Sequence, residues 1–320
     1  MTDMLKTDMN NTAVPGQKHF QPPEWFTDAI NTPCEIRNIE VSGCSIEYLL
    51  WGSPDKRGLL LVHGNGAHAR WWSFIAPFLA QDFCVAAMNL SGMGDSGWRG
   101  AYDIETYTQE QMEVCQDAGF FNHKTPPVIV GHSFGGFITI LTSALYGERL
   151  AGTVIVDSPI NPPGREHKRP RRLIRPNRVY PTVEAAMGRF RLAPEQPCEN
   201  GFLLNYIARH SVRAAQDDNG EHTGWGWKFD PDVYRRFSIG DMSDRLRNAR
   251  CRIAIVRGDK SVLMPLDVAN YMFDLLGRKA PVIGIPEARH HVMLDQPLAF
   301  VSALRTLLAE WDYSLSVREF

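Results

Sequence analysis

The hydrophobic positions of this chain follow two rhythms. Short, wholly apolar runs are separated by longer stretches with helical spacing. Leu59-Leu60-Leu61-Val62, Val128-Ile129-Val130, Thr153-Val154-Ile155-Val156 and Ile253-Ala254-Ile255-Val256 are runs of the first kind. A strand buried on both faces reads this way because neither face meets water. Between them, 67–79, 104–118, 134–146 and 266–276 predict helices, and 297–311 predicts a closing one. Segments 35–41 and 45–51 predict a hairpin around Ser42-Gly43, and 83–88 and 282–285 predict two more strands. Strand alternating with helix implies a mostly parallel, doubly wound α/β sheet with helices on both faces.

The rhythm stops between about 158 and 237. That stretch is rich in proline, arginine and aromatic residues. It predicts an inserted, mainly helical cap over 159–237, on an α/β core of 21–158 and 238–320. Residues 1–20 are polar and predict a flexible arm. An insertion at the carboxyl edge of a parallel sheet lies where ligands bind in open α/β folds, so the cap is expected to be a lid.

Composition narrows the classes. The formal net charge of −2 gives no reason to expect nucleic acid as a partner. No apolar stretch approaches the ~20 residues of a membrane span, and the N-terminus lacks the apolar core of a signal peptide. Cys34, Cys44, Cys84, Cys115, Cys198 and Cys251 are scattered without a CxxC pair. They predict free thiols in a reducing compartment, hence a cytoplasmic location. The histidines show no HExxH-type spacing, so neither a metal nor a cofactor is expected.

The most specific chemistry lies in Gly131-His132-Ser133-Phe134-Gly135-Gly136. It follows a buried strand and opens a helix, the context of a nucleophile elbow. Glycines two residues either side let strand and helix approach closely enough to hold Ser133 in a strained turn. The following helix aims free N–H groups at any negative charge forming there. A serine needs a base, and the base needs an orienting acid. Asp259, in Val256-Arg257-Gly258-Asp259, follows one buried strand, and His290 follows the last strand. Both would share the rim with Ser133.

On these residues the chain, from about Cys34 to Trp311, resembles the α/β-hydrolase fold family, as a serine-nucleophile, esterase- or lipase-like member with an inserted cap. In capped members the histidine is followed five residues later by an acidic residue and then x-Pro. His290, Asp295 and Pro297 match, so the resemblance selects His290 over His291 as base. It assigns Asp259 as the acid. Asp157 is the rival, because some members carry the acid one strand earlier. The His63-Gly64-Asn65-Gly66 segment matches the family's oxyanion loop, which implies the backbone N–H groups of Asn65 and Phe134 as the oxyanion hole. Asn89-Leu90-Ser91-Gly92-Met93-Gly94 matches a glycine-rich loop in which many members carry arginine where Ser91 stands.

Trp71, Trp72, Trp225 and Trp227 are the candidate wall of an apolar pocket. The expected partner is a small-molecule substrate with an apolar or aromatic acyl part. The basic run from Arg165 to Arg178 is either a solvated loop or a surface that steers anions. The implied activity is hydrolysis of a carboxylic ester or lactone through an acyl-enzyme. Cleavage of carbon–carbon bonds in diketone-type substrates on the same triad is the alternative. A non-catalytic small-molecule receptor on this fold is a third reading. Ser133 argues against haloalkane dehalogenases and epoxide hydrolases, which need a carboxylate nucleophile.

Overall fold

A computed structural model describes residues 21–165, 178–217, 219–234 and 239–316. Its strands, in chain order, are β1 (Glu35–Val41), β2 (Cys44–Trp51), β3 (Gly58–Val62), β4 (Cys84–Met88), β5 (Val128–His132), β6 (Gly152–Val156), β7 (Val212–Gln216), β8 (His222–Trp227), β9 (Arg252–Gly258) and β10 (Val282–Ile285). Eight of them form one sheet in the order β1-β2-β4-β3-β5-β6-β9-β10. From β4 through β3, β5, β6 and β9 to β10 every pairing is parallel; β1 and β2 are antiparallel additions at one edge.

The apolar runs sort by alternation. Leu60 and Val62 of β3 and Ile129 of β5 feed one core, shared with Ile138 and Met272. Leu59 and Leu61 of β3 and Val128 and Val130 of β5 feed the opposite core, shared with Trp72, Phe300 and Leu308. Successive strand side chains point to opposite faces, so a strand between two helical layers must be apolar throughout. The helices Ile104–Asp117, Phe134–Tyr146 and Leu266–Leu275 contribute to the first core, and Glu24–Asn31 and Pro297–Ser316 to the second. The start of Ile104–Asp117 is set by Asp103, whose carboxylate accepts the Thr106 N–H at 2.6 Å. Among the described residues no helix is long and apolar enough to cross a membrane.

Two expectations change. The helix expected over 67–79 is two fragments, a 3₁₀ turn Ala69–Trp72 and one α-turn Ala76–Leu79. Pro77 has no N–H to donate back to residue 73, so its only favourable place is at the start of a new helix. Among the described residues, the inserted segment holds strands as well as helices. Alongside the helices Val183–Met187 and Gly201–His210 it contains β7 and β8, an antiparallel hairpin with an irregularity at Ala215/Gln216. Of the basic run, Lys168 to Arg175 lie outside the described residues.

Candidate active site

β5 ends in His132, and the next residue has φ 52° and ψ −114°. A positive φ on a serine is strained, and the surroundings enforce it. A Cβ on Gly131 would lie 2.4 Å from Thr139 Oγ1, and one on Gly135 would lie 2.5 Å from the His63 carbonyl. Only glycine permits the strand, the elbow and the β3 loop to close together. Ser133 is half-buried at the start of the helix Phe134–Tyr146, with its N–H bonded to the Val156 carbonyl at 2.9 Å.

His290 lies 3.0 Å from Ser133 Oγ through Nε2 and 2.8 Å from Asp157 Oδ1 through Nδ1. Alcohol, imidazole and carboxylate thus form one hydrogen-bonded chain. Asp157 is fully buried at the end of β6, with φ 47°. It also accepts the Gly258 N–H at 2.9 Å and the Ser261 hydroxyl at 2.6 Å. These donors satisfy a buried carboxylate and fix its direction.

Asp259 does not take that position. It is exposed; its N–H bonds the Ile285 carbonyl, and its own carbonyl accepts from Arg257 Nη2. β9 pairs with β10 as far as Gly258, two residues beyond its last pairing with β6 at Val256. That extra length carries Asp259 past the rim, while Asp157 turns directly off β6 toward His290. The sequence signal was the polar residue that immediately follows the buried run Thr153-Val154-Ile155-Val156.

His291 meets neither Ser133 nor Asp157. Its ring lies 4.8 Å from that of His290 and 5.4 Å from that of Trp71. Behind the site, His132 Nε2 faces the His290 carbonyl at 3.0 Å. Burial, reinforced by neighbouring imidazoles, drives the basicity of both His132 and His291 well below that of a free histidine. Asp295 shapes the loop carrying His290. Its carboxylate accepts the Arg289 N–H at 2.7 Å and both contacts from Gln196 Nε2. Gln196 Oε1 in turn accepts the His291 N–H. The acidic residue five positions after His290 therefore ties the loop that carries it to the insertion.

The β3 loop passes beside Ser133: a Cβ on Gly64 would stand 3.2 Å from Ser133 Cβ. Asn65 and Phe134, the expected oxyanion donors, flank this contact. His63 is buried and holds the loop, facing the Gly64 carbonyl through Nδ1 and accepting the Leu90 N–H through Nε2. Burial lowers its pKa to about 4. In the glycine-rich loop, Arg99 supplies the guanidinium missing at position 91. It bonds Ser91 Oγ and the buried carboxylate of Glu110, which also accepts the Ser91 N–H. Desolvation raises the Glu110 pKa against these donors.

The insertion is fastened to this loop. Gly94 donates to the Lys228 carbonyl, Asp230 donates to the Gly92 carbonyl, Lys228 Nζ pairs with Asp95 and Tyr102 bonds Asp230. Between insertion and core lies a cavity of about 290 Å³. Trp71 and Trp227 line it, with Asn65, Phe190, Leu192 and His291. A larger hollow of about 580 Å³, lined mostly by exposed residues such as Arg178 and Glu184, shares only Arg189 with it. The other two candidate tryptophans are elsewhere. Trp72 is wholly buried in the core against Phe300. Trp225 sits two residues along β8 from Trp227, about 7 Å away, and is bridged through its backbone to Tyr180.

Among the described residues one group could approach a metal: His132, His290 and His291, with ligand atoms within 4.8 Å of one another. Both ring nitrogens of His290 are hydrogen-bonded, to Asp157 and to Ser133. The arrangement is suited to moving a proton between Ser133 and His290, with the imidazolium stabilised by Asp157.

A family model described as "Alpha/beta hydrolase family" matches residues 59–304. The chain is 25% identical over 149 residues to human "Epoxide hydrolase 4", covering 45% of this chain and 39% of that protein. It is 24% identical over 266 residues to "Monoacylglycerol lipase" of Mycolicibacterium smegmatis (strain ATCC 700084 / mc(2)155), covering 80% of this chain and 89% of the lipase. Thus it spans about two-fifths of the first relative's length and most of the second's. Among solved structures, "Thioesterase Domain From Curacin Biosynthetic Pathway" superposes with a TM-score of 0.69 at 20% identity, over 85% of this chain and 99% of that one.

Proposed function

Because the chain belongs to the alpha/beta hydrolase family, we propose that it is a serine hydrolase that cleaves a carboxylic ester or lactone through an acyl-enzyme. One observation carries this reading: the unbroken chain from Ser133 Oγ through His290 to the buried Asp157. Ser133 attacks the carbonyl carbon while His290 Nε2 takes its proton. Asp157 holds the tautomer with the proton on Nδ1 and stabilises the imidazolium that forms. The N–H groups of Phe134 and Asn65 receive the developing oxyanion, each worth about 3 kcal/mol in sites of this kind. His290 then protonates the leaving alcohol. A water deprotonated by the same imidazole attacks the acyl-enzyme, releases the acid and restores Ser133.

The serine decides against the chemistry named for the epoxide hydrolase relative. Opening an epoxide to an alkyl-enzyme ester needs a carboxylate at the elbow, and Ser133 has none to offer. The substrate is a small molecule whose acyl part enters the cavity beside Trp71 and Trp227. The insertion over 159–237 is read as a cap on the core formed by 21–158 and 238–320. Six free cysteines support a reducing, cytoplasmic setting.

A fluorophosphonate probe should label Ser133, and Ser133→Ala should lose both labelling and p-nitrophenyl ester hydrolysis. A folded wild-type protein that resists labelling, or a Ser133→Ala variant that retains turnover, overturns the proposal.

A further inference from the structure

Most buried side-chain polar atoms of this protein have partners, so the exceptions are informative. Three residues that line one cavity carry buried polar atoms without partners. Asn65 Oδ1, Trp71 Nε1 and both ring nitrogens of His291 lack a hydrogen bond of good geometry among the described residues, the Pro194 carbonyl near the His291 ring included, and all three residues line the cavity between insertion and core. Trp71 and His291 are 6% and 4% exposed, so solvent does not compensate them. Leaving such a group bare carries the full desolvation penalty with nothing to offset it. Three on one wall of one cavity are a recognition surface.

The lining that the insertion contributes differs. Phe190, Leu192, Trp227 and Phe229 of the insertion are apolar or aromatic. Three cationic residues also line the cavity, and none is a buried, unpaired charge. Arg189 and Arg191 are exposed, and Lys228 Nζ is paired with Asp95. His291 stays neutral because burial and the adjacent imidazoles of His290 and His132 oppose its protonation, although the Pro194 carbonyl favours the cation slightly. The polar wall therefore offers a donor from Trp71, an acceptor from Asn65, and one of each from His291. It offers no formal charge.

Resting on the hydrolase reading above, we infer that the acyl part of the substrate carries a neutral hydrogen-bonding group, a hydroxyl or a carboxamide, held by His291, Trp71 and Asn65 while its carbon chain lies against Phe190 and Trp227. His291 is then a specificity-determining residue. It sits one position after the base, so the polar group is read close to the reacting carbonyl. A plain alkyl chain would bury the same three groups without partners. A site built to hydrogen-bond a substrate group rejects the analogue lacking it far more strongly than a greasy slot rejects a missing methylene.

The test compares p-nitrophenyl esters of matched hexanoyl to octanoyl chains ending in methyl, hydroxyl, carboxamide or carboxylate. The wild type should favour the hydroxyl or carboxamide esters over the methyl ones by about tenfold or more in kcat/KM, with the carboxylate esters lowest. In His291→Phe and in Trp71→Phe that ratio should fall to within about twofold. His291→Gln, which keeps a donor and an acceptor, should retain most of it. Equal rates for methyl and polar esters in the wild type, a preference for the carboxylate, or a ratio unchanged in both aromatic variants overturns the inference. Fluorophosphonate labelling of Ser133 in the same preparations separates this failure from failure of the hydrolase reading. If no ester turns over, tryptophan-fluorescence titration with hexanamide against heptane reads the pocket alone. The amide must bind more tightly to the wild type than to His291→Phe, and equal binding overturns the inference.

Discussion

The ends of β6 and β9 look alike in sequence and do opposite things in space. The two strands run parallel, with Val156 opposite Val256. Each is a buried apolar run followed closely by an aspartate. Asp157 leaves β6 at once, turns through a positive φ, and is enclosed by Gly258 N–H, the Ser261 hydroxyl and His290. Asp259 stands beyond the longer ladder that β9 makes with β10, and faces solvent. The β9 backbone contributes to the site as a donor, through Gly258, and leaves the acid to its neighbour. What aims an aspartate at the histidine is the point at which its strand stops pairing.

The sharpest way to break this contrast is to remove each carboxylate in turn. Asp157→Asn should lower kcat/KM for p-nitrophenyl esters by about 10⁴-fold, because the amide stabilises the wrong imidazole tautomer. Asp259→Asn should change it by no more than about threefold, since its exposed side chain meets no catalytic group. Steady-state kinetics on the two variants decides the matter; the reverse order of effects would return the acid to β9.

Next in size is Gly258→Ala. Its Cβ would lie 2.2 Å from the Arg289 carbonyl and 2.4 Å from the Ala288 carbonyl, both backbone atoms of the loop that bears His290. The loop has to shift, and the substitution should cost about 3 kcal/mol in urea unfolding. The same change at Gly277, with nothing within 4 Å but φ 63°, isolates backbone strain from crowding.

The end of β3 is sealed like that of β6, with a histidine in place of a carboxylate, and acid tests that seal. His63 is held neutral, its pKa lowered to about 4 against about 6.5 when unfolded. Between those values the unfolded chain binds more protons. Its stabilising effect is complete above the unfolded pKa and declines as pH falls toward the folded one. At pH 5 the loss from this group alone should be about 2 kcal/mol. Urea midpoints at pH 7.5 and 5 should differ less in His63→Gln than in the wild type; equal differences would assign the acid sensitivity to other groups.

The smallest effect belongs to Ser261→Ala. Asp157 keeps Gly258 N–H and His290 but loses a 2.6 Å donor. A loss of about 1 kcal/mol, or roughly fivefold in kcat/KM, is expected. An unchanged rate would mean that the remaining two partners orient the carboxylate fully.

These contrasts also explain what could be read from the chain alone. Strands such as 128–130 and 153–156 were legible because burial on both faces leaves an unbroken apolar run, whatever lies around it. Ser133 and His290 were legible because each sits where a glycine pattern or a register of five residues constrains the backbone locally. Asp157 and Asp259 were not separable that way, since their difference depends on how far β9 pairs with β10. The hairpin of β7 and β8 was missed because Arg213, Ala215, Thr223 and Gly224 give no apolar alternation. Its pairing is held by Tyr180 and by contacts with the glycine-rich loop. Trp72 and Trp225 show the same limit: an aromatic residue near a site in sequence carries no record of which wall it joins.

The fastening of Lys228 and Asp230 onto the loop at Gly92, Gly94 and Asp95 has a consequence for engineering. The segment that gives this enzyme's recess its aromatic side is not a detachable cassette. A graft replacing residues 178–234 with a sibling's would strand Asp230 from Tyr102 and Asp95 from Lys228. Any successful transplant has to carry donor and recipient loops together, so selectivity and scaffold are inherited as one piece.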